Sequence, residues 1–311
     1  MRSHRRKEKK KMKRWVKVTL IVSGVLLAGL LIYIFSVYHS LSKALDAMHQ
    51  PIRDKSDKRV EEVTLKEKDP FTVLLLGVDQ RENDRGRSDT IILLSVNESK
   101  GSIKMVSIPR DTRVEIVGRG TMDKINHAYA FGGVEMSIDT IENFLDVPVD
   151  YYIQVNMEGF KDIVDAVGGV TVNNDMDFSF GGTHFPKGTV SLNGTEALNY
   201  ARMRKEDPRG DFGRQKRQRQ IIEAVIKKGA SINTLTNYGD IFEALGENVR
   251  TNLTFGEMIT IQRNYRNAAK TVEQYQIDGQ GQMINNIYYY VVSDAERTKL
   301  QNMLKEHLEI Q

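Results

Sequence analysis

The longest charge-free run in the chain comes first: Val18 to Tyr38, "VTLIVSGVLLAGLLIYIFSVY". As a helix rising 1.5 Å per residue it spans a bilayer's hydrocarbon core, with Trp15, Tyr33 and Tyr38 near its two ends, where amphipathic rings favour the interface. A cleaved signal peptide would have a shorter apolar region followed by a small-residue cleavage site, so the pattern predicts an uncleaved anchor. Residues 39–69 are charged and poor in large apolar side chains, and read as a helical stalk stopped at Pro51, then a linker. The body opens with a buried-strand run, "FTVLLLGVD" (71–79). Two more strands, "TIILLSV" (90–96) and "SIKMVSI" (102–108), are joined by "NESKG", a turn short enough for an antiparallel hairpin. Helical spacing follows at about 131–145, 157–167, 194–202, 213–228, 239–247, 255–268 and 294–307, interleaved with strands at 151–155, 170–172, 272–278 and 286–292. This alternation predicts an α/β fold with a mixed, partly antiparallel central sheet covered by helices on both faces, preceded by one transmembrane helix.

Charge changes how the ends of the chain are read. The net charge of +4 and pI near 9.0 suggest a polyanion partner, yet residues 1–17 alone carry +9, ten Lys/Arg against Glu8, leaving about −5 for the rest. The chain is a mildly acidic body with a basic tag. By the positive-inside rule the tag is cytoplasmic and everything after about residue 40 lies outside the membrane. The expected organisation is a cytoplasmic basic tail (1–17), a transmembrane signal anchor (18–38), a stalk and linker (39–69) and an extracytoplasmic domain (70–311). A nucleic-acid partner is then not expected, and would return only if residues 40–311 were cytoplasmic. With 40% hydrophobic residues the chain can bury a full-sized core, and with no cysteine it has neither disulfides nor thiol chemistry.

Three strands running up, down and up bring two stretches, "GVDQRENDRGRSDT" (77–90) and "SIPRDT" (107–112), to one end of the sheet. There Asp79, Arg81, Arg87, Asp89, Arg110 and Asp111 would meet. Carboxylates without Cys or a His pair nearby suit Mg²⁺ or Mn²⁺ rather than zinc, and forked guanidiniums suit phosphate oxygens. Each residue alone could equally be a solvated loop charge; their recurrence at three converging ends favours a site. "DKINHAYAFGG" (123–133) adds Lys124 and Asn126 ahead of a helix beginning at Gly132-Gly133. His127 reads as structural rather than catalytic, and the run Tyr288–Tyr290 as strand packing ahead of a sugar platform.

The most basic segment, "YARMRKEDPRGDFGRQKRQRQ" (200–220), divides by helical phase. Arg214 and Gln218 continue the apolar stripe of Ile221, Ile222 and Val225 and so face inward, where a lone charge is costly and a buried anion would be welcome. Lys216 and Arg219 read as solvated surface, with Arg217 at the boundary. Arg202 and Arg204 reach one ligand only if the helix ends near Ala201 and the chain continues extended; otherwise they are ordinary C-terminal helix charges.

Taken in order, "LLLGVDQR", "GRSDTI", "SIPRDT", "KINHAYAFGG", "ALNYARMR" and "DFGRQKRQRQII", behind a single N-terminal anchor, resemble the LytR-CpsA-Psr family of Gram-positive cell-envelope proteins. The resemblance covers about residues 71–228. It implies a phosphotransferase that moves a glycopolymer, such as wall teichoic acid, from a polyprenyl-pyrophosphate carrier to N-acetylmuramic acid of peptidoglycan, releasing polyprenyl phosphate. It implies a mixed sheet between helices with an apolar tunnel for the lipid. By motif, Asp79 and Asp89 match Mg²⁺-associated acids. Arg87, Arg110, Arg202, Arg204, Arg214 and Gln218 match pyrophosphate ligands, joined less surely by Arg81 and Lys124. Asp79, Asp89, Arg87, Arg110 and Asp111 are the catalytic candidates, with Asp111 and both metal-associated acids open as acceptors of the hydroxyl proton. The implied partners are the lipid-linked glycopolymer, peptidoglycan and the cytoplasmic membrane. A polyprenyl-pyrophosphate hydrolase and a non-catalytic wall-binding or regulatory protein are the rival readings.

Overall fold

The computed structural model describes residues 14–53, 55–81, 84–231, 246 and 248–310. Helix α1 (Arg14–Met48) carries the apolar run, and its segment Arg14–Tyr33 has a mean hydropathy of 2.2 with none of it buried against protein. By length and composition it can cross a membrane. The helix stops before Pro51, where Met48 packs against Val249 and the Gln50 amide donates to Thr251 O at 2.8 Å. The segment beyond is pinned to the body by ion pairs that include Arg53 Nη2 to Glu142 Oε1 at 2.5 Å and Arg59 Nη2 to Asp150 Oδ2 at 2.7 Å.

Strands β1 (Phe71–Arg81), β2 (Asp84–Asn97) and β3 (Ser102–Ser107) run up, down and up, β2 and β3 pairing as the turn between them predicts. With β6 (Tyr151–Val155), β11 (Val249–Thr251) and β12 (Val272–Gln276) they form a six-stranded sheet of order β11-β6-β1-β2-β3-β12. β6 lies parallel to β1 and β12 parallel to β3, so the sheet is mixed. Strand parity sorts its two faces. Leu74, Leu76, Val78, Ile91, Leu93 and Val106 pack under α2 (His127–Leu145) and α7 (Asp294–Leu308). Phe71, Val73, Ile92, Leu94, Ile103 and Met105 face α5 (Asp211–Ser231) and α6 (Phe255–Asn264). Both faces are covered, as expected for a sheet with so few polar interior positions.

Beside the sheet, β7 (Val170–Asn174) pairs with β10 (Gly188–Leu192) and β8 (Phe178–Phe180) with β9 (Thr183–Phe185), and Phe178, Phe185 and Tyr200 build a small aromatic core. This core seats α4 (Gly194–Arg202) against α5, and an Asn193/Glu196 capping box fixes the start of α4. Helix α3 (Met157–Ala166) packs along α4 through Val164.

Three expectations need correction. The helix placed at 131 begins at His127 and breaks at Gly133, whose φ of 69° no neighbouring side chain type adopts readily. The helix expected to reach residue 268 ends at Asn264. The strand near 286–292 is half of a separate hairpin, β13 (Gln280–Ile284) with β14 (Ile287–Val291), whose turn residues Asn285 and Asn286 both take positive φ. A further hairpin, β4 (Arg113–Ile116) with β5 (Thr121–Lys124), was hidden in polar sequence. The helix expected at 239–247 lies outside the described residues apart from Gly246.

Candidate active site

Beyond the strand limits expected at Asp79 and Thr90, β1 runs on to Arg81 and β2 begins already at Asp84, with Asp79 opposite Arg87. Their register slips by one residue between Gly77↔Thr90 and Val78↔Ser88, so Asp89 is an extra residue in β2. Without that bulge Asp89 would share the parity of Ile91 and point into the α2 core. The slip gives that face to buried Ser88 and turns Asp89 to the same side as Asp79. A side chain at Gly77 would meet the Thr90 Cβ at 2.9 Å, so glycine is what lets the two strands close there.

On that side an apolar cavity of about 590 Å³ runs between the sheet and helices α3, α5 and α6. Val73, Leu75 and Ile153 line it from the sheet, and Ile222, Val225 and Ile226 from α5. At one end the lining turns polar, with Asp79, Asp89, Arg202, Arg214 and Gln218. Helical phase had predicted the inward turn of Arg214 and Gln218, and Arg214 keeps only 12% of its side chain exposed. Arg202 closes α4, after which Met203 is extended (φ −57°, ψ 130°), the conformation needed to send Arg202 and Arg204 toward one ligand.

Arg110, just past β3, joins the cluster from the other side. Its Nη1 lies 2.9 Å from Asp89 Oδ1 and its Nε 3.7 Å from Asp111 Oδ2, while Lys124 Nζ lies 2.7 Å from Asp111 Oδ1. Lys124 is delivered there by its neighbours, whose amides donate to the Arg110 and Thr112 carbonyls, Asn126 at 3.2 Å and Ile125 at 2.8 Å. Burial acts to lower the Arg110 pKa, but the carboxylates of Asp89, Asp211 and Asp111 outweigh it and hold the group above the ordinary arginine value. Arg214 shows the opposite balance. Burial, with the like charges of Arg110 and Arg204, holds it below the ordinary value despite Asp211 and Asp89, and its buried Nε has no hydrogen-bond partner. An anion placed among these guanidiniums would relieve both conditions.

Arg87 is exposed on the hairpin, and the side chain of Arg81 lies outside the described residues. Arg204 is half exposed, 3.7 Å from Asp211 Oδ1 through its Nε. Asp211, which the sequence had not singled out, also holds Arg214 Nη2 at 2.8 Å. Its spacing three residues before Arg214 on a helix was the available signal.

Arg219 corrects a sequence expectation. It is buried, not solvated: its Nε donates to Gln274 Oε1 at 3.1 Å, and burial pushes its pKa down to about 10. Helix α5 packs against β12 as well as the cavity and α4, so a single apolar stripe underestimates what is covered. Lys216 is at the surface with Asp175, 2.7 Å away, as its phase predicts. Arg217 is the most buried of the group. It hydrogen-bonds the Tyr200 carbonyl at 3.0 Å, the Met203 carbonyl and Asp207.

Among the described residues no group of three or more His, Cys, Asp or Glu could hold a metal unaided. Mg²⁺ at a phosphate needs no such group, because one or two carboxylates and the ligand's own oxygens suffice. Asp79 and Asp89, converging on the polar end of the cavity, are an all-oxygen pair of that kind. The donor set therefore fits Mg²⁺.

The model of the LytR_cpsA_psr family matches residues 35–306. The chain belongs to that family. A LytR_cpsA_psr relative from Bacillus cereus, the polyisoprenyl-teichoic acid–peptidoglycan teichoic acid transferase TagU, is 54% identical over 304 residues, covering 97% of this chain and 99% of its own. The crystal structure of Bacillus subtilis TagU is 52% identical, with a TM-score of 0.64 over 78% of this chain and 99% of that one. TagT bound to LIIa-WTA is 33% identical, with a TM-score of 0.71 over 82% and 97%. In this LytR_cpsA_psr protein every motif carrying the sequence resemblance converges on the polar mouth of the cavity or the Arg110–Asp111–Lys124 chain beside it, save the exposed or undescribed side chains of Arg87 and Arg81.

Proposed function

We propose that this protein is a membrane-anchored phosphotransferase that moves a glycopolymer, wall teichoic acid by analogy with its relatives, from polyprenyl pyrophosphate to N-acetylmuramic acid of peptidoglycan. The observation that carries the reading is the composite cavity: a long apolar interior ending in Asp79, Asp89, Arg202, Arg214 and Gln218. That is the shape of a ligand with a hydrocarbon tail and an anionic head. The names borne by TagU relatives of half-identical sequence support the same chemistry.

In this reading the acceptor hydroxyl oxygen forms a bond to the sugar-side phosphorus while the bond to the bridging oxygen breaks. Polyprenyl phosphate leaves with that electron pair, and the hydroxyl proton passes to a carboxylate, Asp111 or one of the Asp79/Asp89 pair. Arg202, Arg204 and Arg214 hold the pyrophosphate, Gln218 adds a neutral donor, and Arg110 neutralises charge as it gathers on the oxygens. Arg87, Arg81 and Lys124 are further phosphate contacts in the same reading. Mg²⁺ or Mn²⁺ on Asp79 and Asp89 would supply Lewis acidity to the phosphate oxygens.

Residues 1–17 are then a cytoplasmic tail, 18–38 a single-pass anchor, 39–69 a stalk and linker, and 70–311 an extracytoplasmic catalytic domain. The basic N-terminus and the apolar length of α1 support this orientation. The full chain in detergent, given Mg²⁺, a polyprenyl-pyrophosphate glycan and peptidoglycan oligomers, is expected to yield a phosphodiester-linked product and an equal amount of polyprenyl phosphate. Release of lipid phosphate at a rate indifferent to added glycan would make it a hydrolase instead, and no turnover at all would reject the enzyme.

A further inference from the structure

Beyond α1 and apart from Val60, the exposed large hydrophobic side chains among the described residues are Met122, Phe131, Met283, Ile287 and Tyr288. They are not scattered: Met122 is on β5, Phe131 in the first turns of α2, and the other three on the β13–β14 hairpin. These pieces adjoin one another. Lys124 Nζ lies 5.9 Å from the Tyr288 ring centre, and the Tyr290 amide donates to Asp111 O at 2.8 Å. His127, 2.8 Å from Asp123 through Nδ1, sets its ring edge-on to Phe131, over which Arg119 lies at 4.0 Å. Tyr288, read from sequence as strand packing, is nearly half exposed while Tyr289 and Tyr290 are buried. The result is a partly aromatic shelf edged with polar groups, and grouped exposed apolar side chains rimmed by polar ones mark interaction sites.

Its position relative to the cavity is what gives it a use. Val114, Ile116 and Ile125, which anchor the shelf, belong to the core under α2, whereas the cavity opens on the opposite face of the sheet under α5. The two regions meet at the sheet's end, through the chain Asp89–Arg110–Asp111–Lys124 and the edge-on contact of Phe212 on α5 with Tyr290 on β14. Phosphoryl transfer places the entering and leaving oxygens roughly in line across phosphorus. With the lipid phosphate departing toward the cavity, the incoming hydroxyl must approach from the other face, which is where the shelf lies.

We infer that this shelf binds the acceptor, a glycan strand of amino sugars, with the apolar faces of pyranose rings laid on Tyr288 and Phe131. His127, Asp123 and Arg119 are placed to meet its hydroxyl and acetamido groups. The inference rests on the transferase reading and names its second substrate site.

The test uses the full chain in detergent with a defined peptidoglycan glycan oligomer and a polyprenyl-pyrophosphate glycan, comparing wild type with Tyr288→Ala, Phe131→Ala and Tyr288→Phe. Both alanine variants remove exposed rings, and each is expected to raise the acceptor KM about tenfold with the donor KM unchanged, while Tyr288→Phe, which keeps the ring, stays near wild type. An acceptor KM unchanged in both alanine variants overturns the inference. So does a rise in the donor KM in its place, which would assign the shelf to the donor's own glycan. Direct binding of the oligomer to wild type and Tyr288→Ala, by calorimetry without donor, is read separately. Equal affinity there rejects the shelf even if wild type transfers nothing, whereas absent transfer with weakened binding in Tyr288→Ala rejects only the transferase reading.

Discussion

Arg217 Nη1 lies 2.5 Å from Asp207 Oδ2, and both side chains are sealed from solvent, at 1% and 0% exposure. Together with the Tyr200 and Met203 carbonyls that Arg217 also binds, the pair ties the chain carrying Arg202 and Arg204 to the helix carrying Arg214 and Gln218. Four proposed pyrophosphate ligands, from the end of α4, the segment after it and α5, are thus held in register by a residue that does not line the cavity. Burial opposes the charge on Asp207, but hydrogen bonds from Arg209 and Arg217 hold its carboxyl well below the usual carboxylate range.

Removing one partner should cost more than removing both. Asp207→Ala strands a buried guanidinium and is expected to destabilise by roughly 3–5 kcal/mol, with Asp207→Ala/Arg217→Met recovering part of the loss. Urea unfolding of the two variants checks it, and equal midpoints would mean that the pair is not coupled. Where the double variant folds, its donor KM should rise, because Arg202 and Arg204 lose their anchor.

Gly213→Ala attacks the same joint sterically. An added Cβ would sit 1.9 Å from Asp207 Oδ2, closer than any relaxed contact, so the clamp must open or α5 must shift. The expected destabilisation is about 3 kcal/mol, read by thermal unfolding, while alanine at Gly256, in the first turn of α6 with open space around it, should be neutral or stabilise by up to about 1 kcal/mol.

Arg214 and Lys216 are two residues apart and opposite in consequence. Arg214→Ala removes a buried guanidinium with an unpartnered Nε and should reduce transfer at least about a hundredfold. Lys216→Ala removes an exposed pair with Asp175, worth about 0–1 kcal/mol, and should leave transfer within about twofold. Turnover at saturating donor, measured side by side, decides whether helical phase located the site.

Chelation should stop transfer, and Asp79→Asn should restore it only at higher Mg²⁺ than wild type requires, because the replacement removes one of the two proposed anionic donors. A titration of rate against Mg²⁺ reads the shift, and an unchanged midpoint would take Asp79 out of the metal site.

Far from the cavity, His307 is buried between Ser95 Oγ at 2.7 Å and Ser102 Oγ at 3.0 Å, and burial beside Lys104 and Lys100 lowers its pKa to about 4. The unfolded chain, titrating near 6.5, takes up the proton first, so stability is full above that pH and is lost as pH falls toward 4. The loss is on the order of 3 kcal/mol. His307→Gln should flatten this part of the stability profile, followed by urea midpoints between pH 7 and pH 4.5.

Much of the site could be read along the chain because it depends on local periodicity. The five-residue turn marked β2 and β3 as an antiparallel hairpin, which with β1 antiparallel to β2 brings Asp79, Asp89 and Arg110 together, and the stripe of α5 placed Arg214 and Gln218 inward. Arg219 shows where such reasoning stops. Its burial comes from Gln274 on β12, 55 residues away, and a helical wheel has no knowledge of that neighbour.

The sequence by itself determined the long apolar N-terminal helix, the mixed sheet with both faces covered, and the residue types gathered at one sheet end, since each follows from spacing within a single element or turn. Tertiary structure alone decided which way those residues point and what lies beside them. The Asp89 bulge, the Arg217–Asp207 clamp and the placing of cavity and shelf on opposite faces all arise from contacts between segments far apart in the chain. A one-residue slip in pairing costs little to the local pattern, yet it reverses the face on which a carboxylate stands.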